Sequence, residues 1–320
     1  MEIIILGDKF SAPYSTRVVS SIVVRFDNCN ESCLFDCGEG TQHYLLRSCI
    51  KSRQIKRIII SELTSDSCLG IIGLLATLSL NERTFPLNIY GPKGFCKYLR
   101  LFSRYSQTNF SYALNIICVR NGIICQFSDY KIIAMTLNNS YPSIYGYSIL
   151  EKERMGKFRV DYAQKLLIPF GPLYGDLKKL NKLILNNGSV LNGKNFCQPP
   201  MRGRKLTYIS HCTDISKAIK IAWKSDILIL NTSIECFDTS FSTIFFSKDF
   251  ERIQTLSQEA RIKYLFIIFC IYCDKSNWRA NFLWIYDKHL PEIMRKQMIN
   301  LTYKIIFKIN LYYVLNTIQL

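Results

Sequence analysis

Histidine is scarce in this chain. Its 320 residues hold three, His43, His211 and His289. That leaves too few imidazoles for a histidine-rich two-metal centre, which draws most of its ligands from neutral histidine. Acidic side chains are also outnumbered. Against 24 Asp and Glu stand 41 Lys and Arg, a formal net charge of +17 that points towards a polyanionic partner. No apolar run reaches the ~20 uncharged residues that a membrane span requires. Paired cysteine spacing is missing too. The thirteen cysteines are scattered and no signal peptide precedes them, so they read as reduced thiols rather than a disulfide framework. What is abundant is core material. With 48% apolar and 13% aromatic residues a disordered chain is excluded, and the length suits one large domain or two small ones.

Residues 2–6 read as a strand directly after Met1, so the sequence predicts no targeting segment. An alternating run covers 17–26, and a short strand at Leu34 and Phe35 feeds the turn Asp36-Cys37-Gly38-Glu39-Gly40. Thr41 is placed to cap a helix through Tyr44, Leu45, Leu46 and Ile50. Residues 56–60 predict a buried strand and 67–80 one apolar helix. Strands at 87–90, 114–119, 130–137 and 143–150 follow, with a helix near 95–102. Adjacent strands mixed with helical units predict a mixed sheet rather than a purely parallel one.

The composition changes over residues 151–205. That stretch carries 12 basic and 4 acidic residues, 12 − 4 = +8, nearly half of the total excess of +17. Turn signals crowd it: Pro169, Gly171-Pro172, Asn187-Gly188 as a hairpin tip, and Pro199-Pro200. A protruding basic arm is expected here. The strand–helix rhythm resumes at 206–210, 226–230, a helix near 250–260, and 263–269. The tail over 274–320 is rich in Ile, Tyr, Phe, Lys and Asn, a bias of the kind an AT-rich genome produces, and no internal repeat is visible.

The run Phe35-Asp36-Cys37-Gly38-Glu39-Gly40-Thr41-Gln42 resembles the ribonuclease Z family of tRNA 3′-processing endonucleases, within the metallo-β-lactamase superfamily. Leu6-Gly7, Ser20-Ser21, Gly70-Ile71-Ile72-Gly73-Leu74-Leu75-Ala76-Thr77 and Tyr90-Gly91-Pro92-Lys93-Gly94 fall in the family's order and spacing. So do Pro142-Ser143 with Gly146-Tyr147, Gly171-Pro172-Leu173-Tyr174-Gly175, and Pro199-Pro200 followed by Gly203-Arg204-Lys205. The resemblance runs from Met1 to about Phe269. It implies an α/β fold, the αββα four-layer sandwich, over residues 1–273, with 151–205 as an inserted tRNA-binding arm and 274–320 as a divergent tail. It also implies a two-zinc centre that hydrolyses precursor tRNA after the discriminator nucleotide.

Two zinc ions need roughly seven side chains and a bridging carboxylate. The family's His-x-His-x-Asp-His signature corresponds here to Glu62-Leu63-Thr64-Ser65-Asp66-Ser67, in which only Asp66 matches. The next ligand position falls on Asn139, the bridging aspartate on His211 and the last ligand on Phe269. Two further family histidines map onto Leu230 and Ser247. Asp214 would reach the bridge only through a three-residue slip. Glu62, Asp66 and His211 could together hold one metal. The resemblance gives Asp66 a part in metal binding and in positioning the attacking water, while its residue type alone suits a cap for the helix that follows. His43 reads as a structural or surface histidine, and His289, in the divergent tail, has nothing near it in sequence to pair with. Cys270-Ile271-Tyr272-Cys273 lacks the second pair of a zinc ribbon, and Cys29, Cys33 and Cys37 are spaced to scatter their sulfurs.

In the family the arm of one subunit grips tRNA while the other subunit's centre cuts. Tyr174, Lys178, Lys179, Arg202, Arg204 and Lys205 are the corresponding tRNA-binding residues here, and such cations suit recognition of a folded RNA by shape and backbone. The expected protein is therefore a ribonuclease Z homologue that binds tRNA, has lost most zinc ligands, needs no cofactor, and is impaired or inactive alone. It would work as a homodimer or beside an active ribonuclease Z, as in the family's long forms, where one half keeps the arm and the other cuts. The alternative is an active zinc-dependent endonuclease with a rebuilt site, and a third reading is simple decay. Residue usage resembles that of plastid-encoded relatives in algae, which implies the plastid stroma, or otherwise a bacterial-type cytoplasm.

Overall fold

A computed structural model describes residues 1–7, 21–26, 31–48, 50–139, 141–153, 156–184, 188, 190–235, 248–272, 282–287 and 309–310. The chain divides into two compact units, one of residues 1–127, 131–149 and 205–320 and one of residues 128–130 and 150–204.

The first unit is built on two seven-stranded sheets. One comprises β1 (Glu2–Gly7), β2 (Ser21–Phe26), β3 (Glu31–Phe35), β4 (Ile55–Ile59), β5 (Leu87–Gly91), β6 (Leu114–Cys118) and β16 (Ile309–Asn310), in the order β16-β1-β2-β3-β4-β5-β6. Its strands β1 to β3 pair antiparallel and β3 to β6 parallel, which makes the sheet mixed. The other comprises β7 (Gly122–Gln126), β8 (Tyr130–Thr136), β9 (Tyr145–Glu151), β12 (Lys205–Ile209), β13 (Ile227–Glu235), β14 (Tyr264–Tyr272) and β15 (Phe282–Asp287). Its order is β15-β14-β13-β12-β9-β8-β7. The tail thus contributes a strand to each sheet.

Strands β1 to β5, β9 and β12 are buried on both faces over most of their length, as expected for sheets covered on both sides. One face of the first sheet, with Ile4, Val23, Leu34, Ile58 and Ile89, packs on α1 (Thr41–Arg47), α3 (Ile71–Leu80) and α4 (Phe95–Ser106). The alternate residues face the second sheet. Phe35 lies 6.0 Å from the Tyr147 ring and 5.6 Å from that of Tyr208, and the Tyr147 hydroxyl donates to the Ile60 carbonyl at 2.7 Å. The far face of the second sheet buries Ile209, Leu228 and Leu265 against α8 (Ile215–Ala222) and α9 (Lys248–Glu259). The layers are helix, sheet, sheet, helix.

Three local expectations need correction. Residues 67–80 form two helices, α2 (Ser65–Cys68) and α3, because Gly70 packs against the backbone of the preceding turn. A Cβ at Gly70 would meet the Gly38 carbonyl oxygen at 1.9 Å. Thr41 is the first residue of α1 and not its cap. Gly40 takes the cap position at φ +81°, and the Thr41 hydroxyl donates to the Gly38 carbonyl at 2.7 Å. Strand β7 and helix α8 were not anticipated.

The second unit holds α5 (Val160–Lys165), α6 (Pro172–Lys178), α7 (Gly193–Phe196) and the hairpin of β10 (Lys182–Ile184) with β11 (Val190–Asn192). The hairpin tip residue Asn187 lies outside the described residues, as do Ser20, Cys29, Ser247, Cys273, most of residues 274–320 and His289. Ala163, Ile168, Leu177 and Phe196 give this unit a small core of its own.

Candidate functional site

Parallel strands β3 and β4 end side by side, and their next residues, Asp36, Ser61 and Glu62, fall at the carboxyl end of the first sheet. Strand β12 delivers Tyr208 to the same place, followed by Ser210 and His211. Crevices beyond the carboxyl ends of parallel strands are the usual seat of function in α/β sheets.

Asp36 lies deepest. Oδ1 accepts the Ser61 backbone N–H at 2.7 Å and the Ser61 hydroxyl at 2.8 Å. Oδ2 is 2.8 Å from the same hydroxyl and accepts the Tyr208 hydroxyl at 2.6 Å. Complete burial pushes its pKa up to about 7, against the downward pull of the Tyr208 and Ser61 donors. Asp36 is therefore a knot between the sheets and not a group open to substrate. In the sequence it stands within the run from Phe35 to Gln42, where nothing local marks it for this role. Its partner Tyr208 is 172 residues away, and no local pattern marks such a pair.

One step outward sit the residues predicted for the site. Glu62 is buried, and its Oε1 accepts from Ser210 Oγ and lies against His211 Nδ1, both at 3.3 Å. The bond to Glu62 raises the pKa of His211 above the usual imidazole value, burial opposes this, and Asp66 adds to it. Asp66 is itself raised, first by burial and then by the Glu62 charge, with the Ser65 hydroxyl and His211 pulling it down. Glu62, Asp66 and His211 thus sense one another's charge. Asp66 stands inside the first turn of α2 with Oδ1 3.2 Å from the Ser65 hydroxyl, and the cap position before it belongs to Thr64. Among the described residues no group of three or more His, Cys, Asp or Glu is arranged to hold a metal ion.

Of the remaining predicted positions, Ser67, Asn139 and Asp214 are engaged elsewhere. The Thr64 hydroxyl is buried and has no hydrogen-bond partner among the described residues. Ser67 Oγ lies 3.4 Å from Ser61 Oγ. The Lys217 ammonium donates to the Asn139 side-chain oxygen. Phe269 sits in β14, its backbone in register with Thr232 and Phe282, and phenylalanine has no donor atom for a metal. Asp214 is the cap of α8, where its Oδ1 accepts the Lys217 N–H at 3.2 Å. His43 is exposed on α1, and Cys33 is buried, which pushes its thiol up to about 12.

In the second unit Lys178, Lys179 and Arg202 are exposed. Tyr174 is part of the unit's own packing, with its hydroxyl 3.1 Å from the Ile168 carbonyl and its ring 5.0 Å from Phe158 and 5.1 Å from Phe170. Arg204 forks onto Glu151 with two bonds of 2.6 Å. Lys205, in the first unit, donates its ammonium to the Trp223 carbonyl at 2.8 Å.

The chain is 40% identical over 229 residues to a ribonuclease Z of Cyanothece sp., covering 72% of this chain and 71% of that protein. Its fold resembles that of human tRNase Z, short form, with a TM-score of 0.57 and 23% identity over 86% of this chain and 96% of that one. It also resembles the metallo-beta-lactamase fold protein YhfI from Bacillus subtilis, with a TM-score of 0.53 and 12% identity over 86% of this chain and 87% of that one. No protein-family model matches the chain.

Proposed function

The chain belongs to the ribonuclease Z family, whose work is tRNA 3′ processing, and from that premise we propose that it is a tRNA-binding member with a dismantled zinc centre. The observation that carries this reading is the donor set at the site. At the family's ligand positions His211 is engaged with Glu62, and Asn139 with the Lys217 ammonium. An ammonium bound to Asn139 competes with any cation there, and Ser67 and Thr64 offer only neutral hydroxyls. One orphaned hydroxyl, two carboxylates and one imidazole do not fit a two-zinc centre, so no hydrolytic step is derived through zinc.

The exposed Lys178 and Lys179 at the end of α6, with Arg202, support phosphate contact from the second unit. In this reading the chain presents tRNA to an active ribonuclease Z subunit, or pairs with itself. Two-fold pairing with an active relative would supply one competent centre beside an additional arm. We place it in a plastid stroma on the strength of its residue usage, with a bacterial-type cytoplasm as the alternative.

A second reading, a zinc enzyme with a rebuilt site, is favoured by the electrostatic coupling of Glu62, Asp66 and His211. Bound zinc per chain and cleavage of precursor tRNA, measured on one purified sample, separate the two. The dismantled centre predicts neither stoichiometric zinc nor cleavage, together with tRNA affinity that falls on reversing Lys178 and Lys179. Stoichiometric zinc with cleavage abolished by Asp66→Ala would establish the enzyme instead. Absence of tRNA affinity would leave simple decay.

A further inference from the structure

At the opposite end of β12 from His211, roughly 20 Å away at 3.3 Å per residue, three chain segments enter the second sheet together. They are Lys205 at the start of β12, residues 223–226 before β13, and residues 260–263 before β14. Main-chain hydrogen bonds stitch them into one platform. Lys224 N–H donates to the Ala260 carbonyl at 2.8 Å, Lys263 N–H to Ser225 at 3.2 Å and Tyr264 N–H to Asp226 at 3.0 Å. Asp226 N–H donates to the Lys205 carbonyl at 2.9 Å, and the Lys205 N–H returns a bond to Asp226 Oδ2 at 2.8 Å.

The side chains on this platform are predominantly cationic. Lys224, Arg261 and Lys263 are exposed, Lys205 is half-buried beside them, and exposed Lys220 precedes Trp223 by three residues at the end of α8. Among the described residues the carboxylates in or next to these segments are Glu259, exposed, and Asp226, nearly buried under the Lys263 ammonium at 2.5 Å. In their midst stands Trp223, 43% exposed, with the Arg261 guanidinium 5.4 Å from its ring centroid. Core packing does not demand an exposed indole at the end of α8. A cation-stacked aromatic plane amid ammonium groups offers a base a surface to stack on and phosphates a set of counter-charges. A membrane surface would require apolar side chains to insert, and Trp223 is the one large apolar side chain exposed among the described residues of these three segments.

We propose that this Trp223-centred platform is a second RNA-binding face of the first unit, taking the sugar-phosphate backbone and an accessible base of a structured RNA. It rests on the tRNA-binding reading above only for the identity of the RNA. Recognition runs through phosphates and stacking, so binding is salt-dependent and weakly selective in sequence.

The test is binding of a labelled tRNA transcript to the full chain across a range of salt concentrations. It compares the wild type, Lys220→Glu/Lys224→Glu/Arg261→Glu, the arm variant Lys178→Glu/Lys179→Glu, and Trp223→Phe. Reversal on the platform is expected to weaken binding at least tenfold, and the slope of log K against log salt to fall by about 2 to 3, at roughly 0.7–0.9 for each phosphate left without its cation. The effects of the arm and platform variants multiply when combined. Quenching of tryptophan fluorescence by a single-stranded oligonucleotide is expected in the wild type and absent in Trp223→Phe. Should charge reversal impair folding, Lys220→Gln/Lys224→Gln/Arg261→Gln with an unchanged melting temperature replaces it. A platform variant with wild-type affinity and slope overturns the inference and leaves the arm reading standing. Weakened binding in the platform variant alone sinks the arm reading and keeps this one. No affinity in the wild type overturns both. Wild-type binding to phosphatidylserine vesicles, abolished in the platform variant while tRNA binding is kept, would assign the face to a membrane and overturn the inference.

Discussion

A carboxylate that is fully buried and yet surrounded by donors is held between two opposing effects. At Asp36 desolvation wins, and its pKa rises from 3.8 to about 7 in spite of the Tyr208 and Ser61 bonds. A raised carboxyl makes the folded chain retain a proton that the unfolded chain releases. Its contribution to stability is therefore complete below pH 3.8 and declines as pH rises towards 7. We expect Asp36→Asn to remove that slope, so that urea midpoints of wild type and variant converge or cross between about pH 4 and pH 8. At His211 the sign of the response follows from Glu62. Removing the bond in Glu62→Gln takes away the largest cause of the raised value, and the imidazole should titrate at lower pH, as followed by NMR of its ring protons. The Asp36–Tyr208 pair could not be read from sequence, whereas Glu62 and His211 were grouped there as ligands of one possible metal and not as a direct pair. The positions of Glu62 and His211 were legible through the family signature, but their contact joins residues 149 apart in the chain.

Among the elements, the break between α2 and α3 shows how a backbone contact overrides an apolar pattern. Residues 67–80 carry no polar interruption strong enough to end a helix, and a glycine within such a run is ambiguous. The Gly38 carbonyl decides the matter, since it occupies the space where a Cβ at Gly70 would lie. Gly70→Ala should destabilise the fold by about 2–3 kcal/mol in denaturant titrations, because main chain has to shift. Gly73→Ala, three residues on, meets only the end of the flexible Gln42 side chain at 2.8 Å and should cost less than about 1 kcal/mol. By contrast, α8 was within reach of sequence reasoning. Asp214 before an apolar repeat of Ile215, Ala218, Ile219 and Ala222 is a start signal with a mechanism, and its side chain does cap the helix. The strands were more legible than the helix ends because hydrophobic runs specify burial directly, whereas ends depend on caps and close approaches.

For the molecule as a whole, two units with separate cores imply two separable stabilities. The second unit's core rests on four buried residues, with Phe196 the largest of them. Phe196→Ala removes about 3–5 kcal/mol of packing, enough to open so small a unit. Hydrogen exchange should then show protection abolished over residues 150–204 and kept in the two sheets, and exchange in both units would show that they unfold together. The basic segment was visible in composition, and so was its hairpin, since Asn187-Gly188 is a turn signal of known geometry. Its internal use of charge was not visible. Arg204 is engaged by Glu151, and the cations that remain turned outward were identified only by the structure.

The bond from Tyr208 to Asp36 has a consequence in time. The chain leaves the ribosome from its amino end at about 5–20 residues per second. Asp36 thus precedes its partner by 172 residues, or roughly ten to thirty seconds. During that interval strands β1 to β6 of the first sheet can assemble, but the carboxylate at its end still lacks the phenol that closes the second sheet over it. Ser61 is already there to donate, but water has to stand in for the Tyr208 hydroxyl until then, which keeps the nascent first sheet open along the face the second will cover. A chaperone that shields exposed β-surface would find its substrate in that window, and a chain halted before residue 208 would never leave it.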